Sequence, residues 1–279
     1  MRIAKAHGLG NDFLLVAEAE APGDRAAWVR RICDRHLGLG ADGVLLYADE
    51  EGGVRMRLIN ADGGEAEISA NGLRCLAAFR VRAAAVPARH TVTTGAGPRL
   101  AVVESLGNER FRVATDLGMP ILGSAEIPVD LQPPAPRVID HRLALGLREV
   151  AITATSMGNP HCAVFLDAPA DDALLTTMGP ALERHAFFPR RTNVEFVTVV
   201  SRRRLRVRFW ERGVGYTRAS GTGAASAAVA SIITGRADRE LTVECDGGEL
   251  TVEWPEGGTL RQTGEVEILF EGDWVGPAS

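Results

Sequence analysis

An internal repeat constrains what this chain can fold into more than any other feature. The turn Ser69-Ala70-Asn71-Gly72 and the turn Ser220-Gly221-Thr222-Gly223 lie 151 positions apart, the difference between 220 and 69, and an Ala-rich stretch follows each. Other pairs recur in the same order at this shift or at one two or three residues smaller: Asn60 with Glu211, Asn11 with Asn159, and Arg35-His36 with Arg184-His185. We therefore predict a duplicated chain with two similar domains that face one another.

Short stretches of alternating hydrophobic and polar residues predict that most of the chain forms β-strands. Four stretches are typical of helices: residues 25–35, 73–85, about 170–183, and 224–234, with Gly235 as the stop of the last. Many strands with few helices favour an α+β fold over a doubly wound sheet. Gly118-Met119-Pro120 precedes a Pro-rich segment, residues 128–136, so we expect the domain boundary near residue 118.

Composition narrows the classes of function. The net charge of −5 argues against nucleic acid as a partner, because binding to phosphates requires a clustered basic excess. No stretch predicts a membrane span or a signal peptide. Four cysteines without a CxxC pair predict neither a disulfide framework nor a metal site, and they favour a reducing, cytoplasmic location: Cys33, Cys75, Cys162 and Cys245.

The two Gly-rich turns predict an anion site. The exposed N–H groups and the dipole at a helix N-terminus attract a carboxylate or a phosphate, and small residues let the ligand approach the backbone. Taken singly, Ser69 and Ser220 are better explained as N-cap residues with no other role. Their matching positions in a duplicated chain favour one anionic ligand with a side chain presented to it from each side.

Such an arrangement suits inversion of a stereocentre α to a carboxylate without a cofactor. One group removes the proton from one face of the carbon, and a second group delivers a proton to the opposite face. Fixed N–H donors stabilise the negative charge that develops on the carboxylate. The ligand predicted in this way is a small carboxylate or amino acid, with no cofactor and no metal.

Eight segments spread along the chain resemble the diaminopimelate epimerase family, in the family's order. In the first half they are Lys5-Ala6-His7-Gly8-Leu9-Gly10-Asn11-Asp12-Phe13, Asp34-Arg35-His36-Leu37-Gly38-Leu39-Gly40-Ala41-Asp42-Gly43, Asn60-Ala61-Asp62-Gly63-Gly64-Glu65-Ala66-Glu67 and Asn71-Gly72-Leu73-Arg74-Cys75. In the second half they are Ser156-Met157-Gly158-Asn159-Pro160-His161, Thr192-Asn193-Val194, Trp210-Glu211-Arg212-Gly213-Val214-Gly215 and Ser220-Gly221-Thr222-Gly223-Ala224.

The resemblance implies a fold of two pseudo-symmetric α+β domains, each with a sheet wrapped round a central helix, and an active site in the cleft between them. It places residues 1–117 and 264–279 in one domain and residues 118–263 in the other. It also implies a role in lysine biosynthesis and a homodimer. The residues that it assigns to the substrate are Asn11, Asn60, Asn159, Asn193, Glu211 and Arg212, with the backbone of Ala70-Asn71 and Gly221-Thr222 at the reacting carboxylate. For His36 and His161, the favoured interpretation is a structural histidine satisfied by hydrogen bonds.

The chain departs from the family at the residues that transfer protons. The family has a cysteine at the start of each Gly-rich turn, where this chain has Ser69 and Ser220, and it has an acidic residue where this chain has Tyr216. Ala70 replaces a glycine. An aliphatic hydroxyl is a weak base unless a neighbour activates it. We take Ser69, Ser220 and Tyr216 as the catalytic candidates, and three interpretations stay open: an isomerase that uses serines; a scaffold redeployed as a lyase, a cyclase or an isomerase of a non-amino acid; and a non-catalytic carboxylate-binding protein.

Overall fold

The chain divides into two compact units. In a computed structural model that describes residues 1–276, the first unit comprises residues 1–116 together with the chain from Thr263 onward, and the second comprises Leu117–Gln262. These junctions lie one residue from those expected from the sequence. Residues 277–279, which the sequence assigns to the first unit, lie outside the described residues.

The first unit contains eight strands before the junction, a short 3₁₀ turn and two helices. The strands are β1 (Arg2–Gly8), β2 (Asn11–Ala17), β3 (Gly43–Glu50), β4 (Gly53–Asn60), β5 (Glu65–Ala66), β6 (Arg89–Thr94), β7 (Gly97–Gly107) and β8 (Arg110–Asp116), and the helices are α1 (Arg25–Ile32) and α2 (Ala70–Arg82). Hydrogen-bonded pairs run antiparallel between β1 and β2, parallel between β2 and β3, antiparallel between β3 and β4, parallel between β4 and β6, and antiparallel between β6 and β7.

The second unit also contains eight strands and two helices. The strands are β9 (Val138–Leu145), β10 (Arg148–Ser156), β11 (Pro160–Leu166), β12 (Asn193–Ser201), β13 (Arg204–Glu211), β14 (Gly215–Thr217), β15 (Glu240–Cys245) and β16 (Gly248–Glu253), and the helices are α3 (Asp172–Glu183) and α4 (Gly221–Ile233). From β10 the pairing is antiparallel to β11, then parallel to β12, antiparallel to β13, parallel to β15 and antiparallel to β16.

Strand pairing in the second unit therefore repeats the order of directions found in the first. A helix lies between the second and third strands of each series, as α1 and α3 do, and a second helix follows each short strand, as α2 and α4 do. The repeat predicted from the sequence is thus a duplication of topology as well as of residues.

Each unit is built round one buried helix. Helix α2 packs on β1, β2, β4, β7 and β8, and helix α4 packs on β10, β11, β12 and β13. The family resemblance implies a sheet wrapped round a central helix in each unit, and both helices are buried along most of their length, including Arg74 and Arg80 of α2. Helices α2 and α4 begin three residues earlier than predicted, at Ala70 and Gly221, because the Gly-rich turns are their first turns.

The last strand returns to the beginning of the chain. Strand β17 (Arg261–Asp273) pairs antiparallel with β1, with Lys5 opposite Phe270, and it also pairs with β8. Val266 and Ile268 of β17 join the hydrophobic core round α2. Among residues 1–276, no helix has the length and apolar character needed to cross a membrane.

Candidate active site

The first Gly-rich turn holds a serine as a helix cap. Ser69 has an extended backbone, and its Oγ accepts a hydrogen bond from the N–H of Gly72 at 3.1 Å. The first N–H groups of a helix have no partner within the helix, so this bond satisfies one of them. Ala70 and Asn71 are buried, at 2% exposure each.

The second turn has the same construction. Ser220 is extended, and its Oγ accepts from the N–H of Gly223 at 3.2 Å. A Cβ at position 223 would lie 2.9 Å from the ring of Phe209 and 2.9 Å from the Oγ of Ser220. Glycine is therefore required there, because any side chain would displace the capping hydroxyl.

Among the described residues, no basic side chain is hydrogen-bonded to either serine hydroxyl. Within residues 1–276, the hydrogen bond from the glycine N–H is the only one that each hydroxyl makes. His36 lies on an exposed turn, which differs from the hydrogen-bonded structural histidine that the sequence favours at this position. Each hydroxyl oxygen thus lies at the N-terminal end of its helix, where the helix dipole favours negative charge.

A polar network joins the predicted binding residues of the first unit. The Nδ2 of Asn71 donates to the Oδ1 of Asn11 at 3.1 Å, and the Nδ2 of Asn11 donates to Asp42 at 2.7 Å. The guanidinium of buried Arg74 donates to the Oδ1 of Asn71. The structure therefore brings Asn11 and Asn71 together and fixes both amides. Asn60 lies at the end of β4, where its backbone closes the turn with Gly63.

Asp12 anchors this network by charge. The guanidinium of Arg35 contacts both of its carboxylate oxygens, at 2.8 and 3.2 Å, and Lys5 Nζ lies 2.9 Å away. Burial alone would raise the pKa of Asp12, but the hydrogen bonds from Arg35 and Lys5 outweigh it and leave the pKa lowered. The sole lysine is consequently committed to an ion pair.

In the second unit, Asn159 lies next to a buried histidine. The Nε2 of His161 lies 2.9 Å from the Oδ1 of Asn159, and its Nδ1 lies 2.6 Å from the Oε1 of Glu195. The side chains of His161 and Glu195 are 0% and 1% exposed. Burial raises the pKa of Glu195, against the opposing effect of His161. Both ring nitrogens are thus occupied, as the sequence predicts for a structural histidine.

Asn193 and Glu183 hold the turn that carries Arg212. The Oδ1 of Asn193 accepts from the backbone N–H of Arg212 at 2.9 Å. Glu183, at 2% exposure, accepts from the N–H of Gly213 at 3.0 Å and from the Nε1 of Trp210 at 2.9 Å. The turn at residues 211–214 is therefore fixed by side chains from β12 and α3.

Tyr216 bonds to an acidic residue that is distant in sequence. Its hydroxyl donates to Asp246 at 2.9 Å, and the guanidinium carbon of Arg208 lies 5.2 Å from the centre of its ring. Burial and the bond to Asp246 raise the pKa of Tyr216. Beside it, Thr217 Oγ1 donates to Glu211 at 2.6 Å. Tyr216 therefore remains protonated at neutral pH.

Several residues that organise the site are not evident from the sequence. Four of these residues contact a predicted site residue or the turn that carries one: Asp42, Arg74, Glu183 and Asp246. Glu195 contacts His161, which in turn contacts Asn159. Asp42 and Arg74 lie within segments that carry the family resemblance, and that resemblance is the one feature of the sequence that could have pointed to them. No local pattern marks Glu183 or Asp246, because Gly213 and Tyr216, which they contact, each lie 30 residues away.

Comparison with known proteins identifies the family. The family model described as diaminopimelate epimerase matches residues 3–122 and 153–269. A diaminopimelate epimerase from Desulforudis audaxviator is 46% identical over 99% of this chain and 99% of its own length. One from Pelotomaculum thermopropionicum is 44% identical over 98% of this chain and 99% of its own length.

Solved structures share the fold at low sequence identity. A hydroxyproline epimerase from Agrobacterium vitis matches with a TM-score of 0.68 and 14% identity, over 98% of this chain and 90% of that one. A methylitaconate-delta-isomerase matches with a TM-score of 0.63 and 14% identity, over 98% of this chain and 95% of that one. Because the family model covers residues 3–122 and 153–269 and these relatives match along nearly the full length, the chain belongs to the diaminopimelate epimerase family.

Proposed function

We propose that this protein is a cofactor-independent isomerase that inverts the carbon α to a carboxylate in a diaminopimelate-like amino acid. The observation that carries the proposal is the pair of equivalent helix N-termini, each preceded by a capping hydroxyl. Relatives at 44–46% identity over nearly the full length are named diaminopimelate epimerase, which supports the substrate class.

Ser69 and Ser220 are the proposed proton-transfer groups. One serine, as its alkoxide, takes the proton as the Cα–H bond breaks, and the electron pair is delocalised into the carboxylate. The other hydroxyl gives its proton to the opposite face and is left as the alkoxide, so the two serines exchange roles in each turnover. The N–H groups of Ala70-Asn71 and Gly221-Thr222, in the first turns of their helices, stabilise the charge on that carboxylate. Because a hydroxyl is a much weaker acid than a thiol, we expect slow turnover.

The remaining predicted residues bind the substrate in this proposal. Arg212 suits the second carboxylate because a guanidinium can donate two parallel hydrogen bonds. Amide and acidic groups complete recognition of the amino-acid end: Asn11, Asn60, Asn71, Asn159, Asn193 and Glu211. For Tyr216 we propose support of the site through Asp246 rather than proton transfer, since its hydroxyl is engaged and its pKa is raised.

Exchange with solvent tests the proposal directly. We expect the protein, incubated in D₂O with 2,6-diaminopimelate, to incorporate deuterium at the α-carbon, as followed by NMR. Ser69→Ala and Ser220→Ala should each abolish inversion, since inversion needs both faces. Absence of deuterium from every stereoisomer of the substrate would refute the isomerase proposal.

A second candidate is a carboxylate-binding protein without catalysis. It is favoured by the engagement of both serine oxygens as caps, with no basic side chain bonded to either within residues 1–276. It predicts that diaminopimelate raises the melting temperature and is recovered unchanged. Thermal stabilisation without deuterium incorporation distinguishes this function from the first.

We further propose a cytoplasmic homodimer that acts on a small molecule rather than on nucleic acid or a membrane. The four cysteines are all unpaired, which suits a reducing compartment, and the net charge is −5. Family resemblance supports the dimer. Analytical ultracentrifugation at micromolar concentration tests the dimer, for which a single species of twice the chain mass is expected.

A further inference from the structure

We infer that the buried pair of His161 and Glu195 fixes the side-chain amide of Asn159 with its nitrogen directed away from the histidine, so that Asn159 binds a hydrogen-bond acceptor of the ligand. The inference rests on the proposed function in taking Asn159 as a ligand-binding residue. His161 and Glu195 are then positioning residues, which act through Asn159 and do not touch the ligand.

The geometry links three side chains in series. Glu195 Oε1 lies 2.6 Å from the Nδ1 of His161, and the Nε2 of His161 lies 2.9 Å from the Oδ1 of Asn159. His161 is 0% exposed and Glu195 is 1% exposed, whereas Asn159 is half-buried. Only the asparagine end of the series therefore reaches solvent.

The number of protons decides which way the amide faces. An amide oxygen can only accept, so a bond to Oδ1 requires a proton on Nε2. A second proton then lies in the contact between Nδ1 and Oε1. With two protons the pair has no net charge, whether as imidazolium with carboxylate or as imidazole with carboxylic acid.

The reversed amide would leave a buried charge. If the Nδ2 of Asn159 donated to Nε2, the ring would hold its single proton on Nδ1. Glu195 would then be either an uncompensated carboxylate or an acid with its proton on Oε2, which is buried without a hydrogen-bond partner among residues 1–276. Within residues 1–276, the only ion pair that Glu195 makes is with His161. Burying an unpaired carboxylate is strongly unfavourable, so the orientation with Oδ1 toward His161 is selected.

Asn193 has the same arrangement on the adjacent strand, where it pairs in register with His161. Its Oδ1 accepts from the N–H of Arg212, and its Nδ2 donates one hydrogen to the carbonyl of Pro160, both at 2.9 Å. In both asparagines the amide oxygen thus accepts a hydrogen bond from the protein, and an N–H of the amide nitrogen is left to donate to the ligand. The part of the ligand that meets them is a carboxylate rather than an ammonium group.

Nitrogen NMR of the ¹⁵N-labelled protein, without ligand, tests the inference independently of any activity. Long-range ¹H–¹⁵N correlation should show a protonated Nε2 on His161 at neutral pH. An unprotonated Nε2 would overturn the inference. The NMR result does not depend on whether diaminopimelate binds. Failure of this inference can therefore be distinguished from failure of the proposed function.

Variants test the orienting role with 2,6-diaminopimelate and with pimelate, the same seven-carbon diacid without the ammonium groups. In Glu195→Gln the new amide can donate to Nδ1, the ring keeps its proton on Nε2, and both affinities should change less than about threefold. His161→Phe removes the donor and should weaken both ligands about tenfold, which is about 1.4 kcal/mol.

His141→Phe is the matched control, because His141 stacks on Phe187 outside this series. It should leave both affinities unchanged. If Glu195→Gln weakens binding as much as His161→Phe, the negative charge matters rather than the orientation, and the inference fails. Should His161→Phe not fold, the NMR result and the Glu195→Gln variant still decide.

Discussion

The Oγ of Ser220 lies 3.2 Å from the backbone nitrogen of Gly223 and accepts its hydrogen bond. This bond directs one lone pair of the oxygen at the positive end of helix α4, as Ser69 does at helix α2. Negative charge on the side chain at such a position is favoured. A helix end of this kind can bring a thiol to its thiolate near neutral pH, but the same field does far less for a hydroxyl.

Introducing both thiols should therefore raise the activity. We expect Ser69→Cys combined with Ser220→Cys to increase the rate of α-deuterium incorporation into diaminopimelate by at least about 100-fold, because each thiol has a pKa of about 8.5 before the helix lowers it. Initial rates by NMR in D₂O measure the change. Ser201→Cys, on the exposed end of β12, is the control and should have no effect. An unchanged rate in the double variant would argue for the binding-protein function.

Loss of the cap should reduce stability independently of catalysis. Ser69→Ala removes the acceptor for the N–H of Gly72 and should lower the free energy of unfolding by about 1 kcal/mol. Ser69→Asn supplies another acceptor and should retain most of that free energy. Urea denaturation followed by circular dichroism measures both values. Equal destabilisation by alanine and asparagine would indicate that the hydroxyl does not act as a cap.

Removing Glu183 should loosen the turn that carries Arg212. In Glu183→Ala, the N–H of Gly213 and the Nε1 of Trp210 lose a buried acceptor, and we expect a loss of about 1–3 kcal/mol in stability. Amide hydrogen exchange at Gly213 should become faster while exchange within helix α4 stays close to that of the parent protein. Glu183→Gln keeps one acceptor and should have an intermediate effect. Unchanged exchange at Gly213 would contradict the assigned role.

The lowered pKa of Asp12 makes the first unit sensitive to acid. The folded protein stabilises the ionised form of Asp12, so this carboxylate contributes to the free energy of unfolding at any pH above the pKa of about 3.9 that it has in the unfolded chain. The contribution is lost as the pH falls through the lower pKa of the folded protein. In Asp12→Asn, the free energy of unfolding should be lower at neutral pH and should fall less between about pH 5 and pH 2. Denaturation series at several pH values measure the difference. Parallel curves for the two proteins would exclude this linkage.

The sequence predicts the duplicated topology because the paired landmarks surround helices that have the same local signals in both halves. Ser69 and Ser220 read as caps from the sequence, and the structure has them as caps. The contact between Tyr216 and Asp246 was not predictable, since it depends on the pairing of β13 with β15. Two residues that meet only because their strands pair in a given register have no local sequence pattern that predicts the contact.

The same limit applies to charge. Lys5 is the only lysine in the sequence, and only the structure shows that it forms an ion pair with Asp12. His161 was expected to be hydrogen-bonded, but the identity of its partner Glu195 depends on the parallel register between β11 and β12. Secondary-structure propensity and residue spacing therefore identify the helices, the strands and the helix caps. The contacts that Glu195 and Asp246 make depend instead on the register between strands.

The position of β17 also bears on the order in which the chain can fold during synthesis. Residues 117–262 form one contiguous unit, so the strands β9–β16 leave the ribosome as an uninterrupted stretch. The first unit emerges earlier, yet β1 and β8 lack the strand that pairs with both until Arg261–Asp273 leaves the ribosome. The half made first is consequently the half completed last, and its open strand edges are exposed to aggregation in the interval.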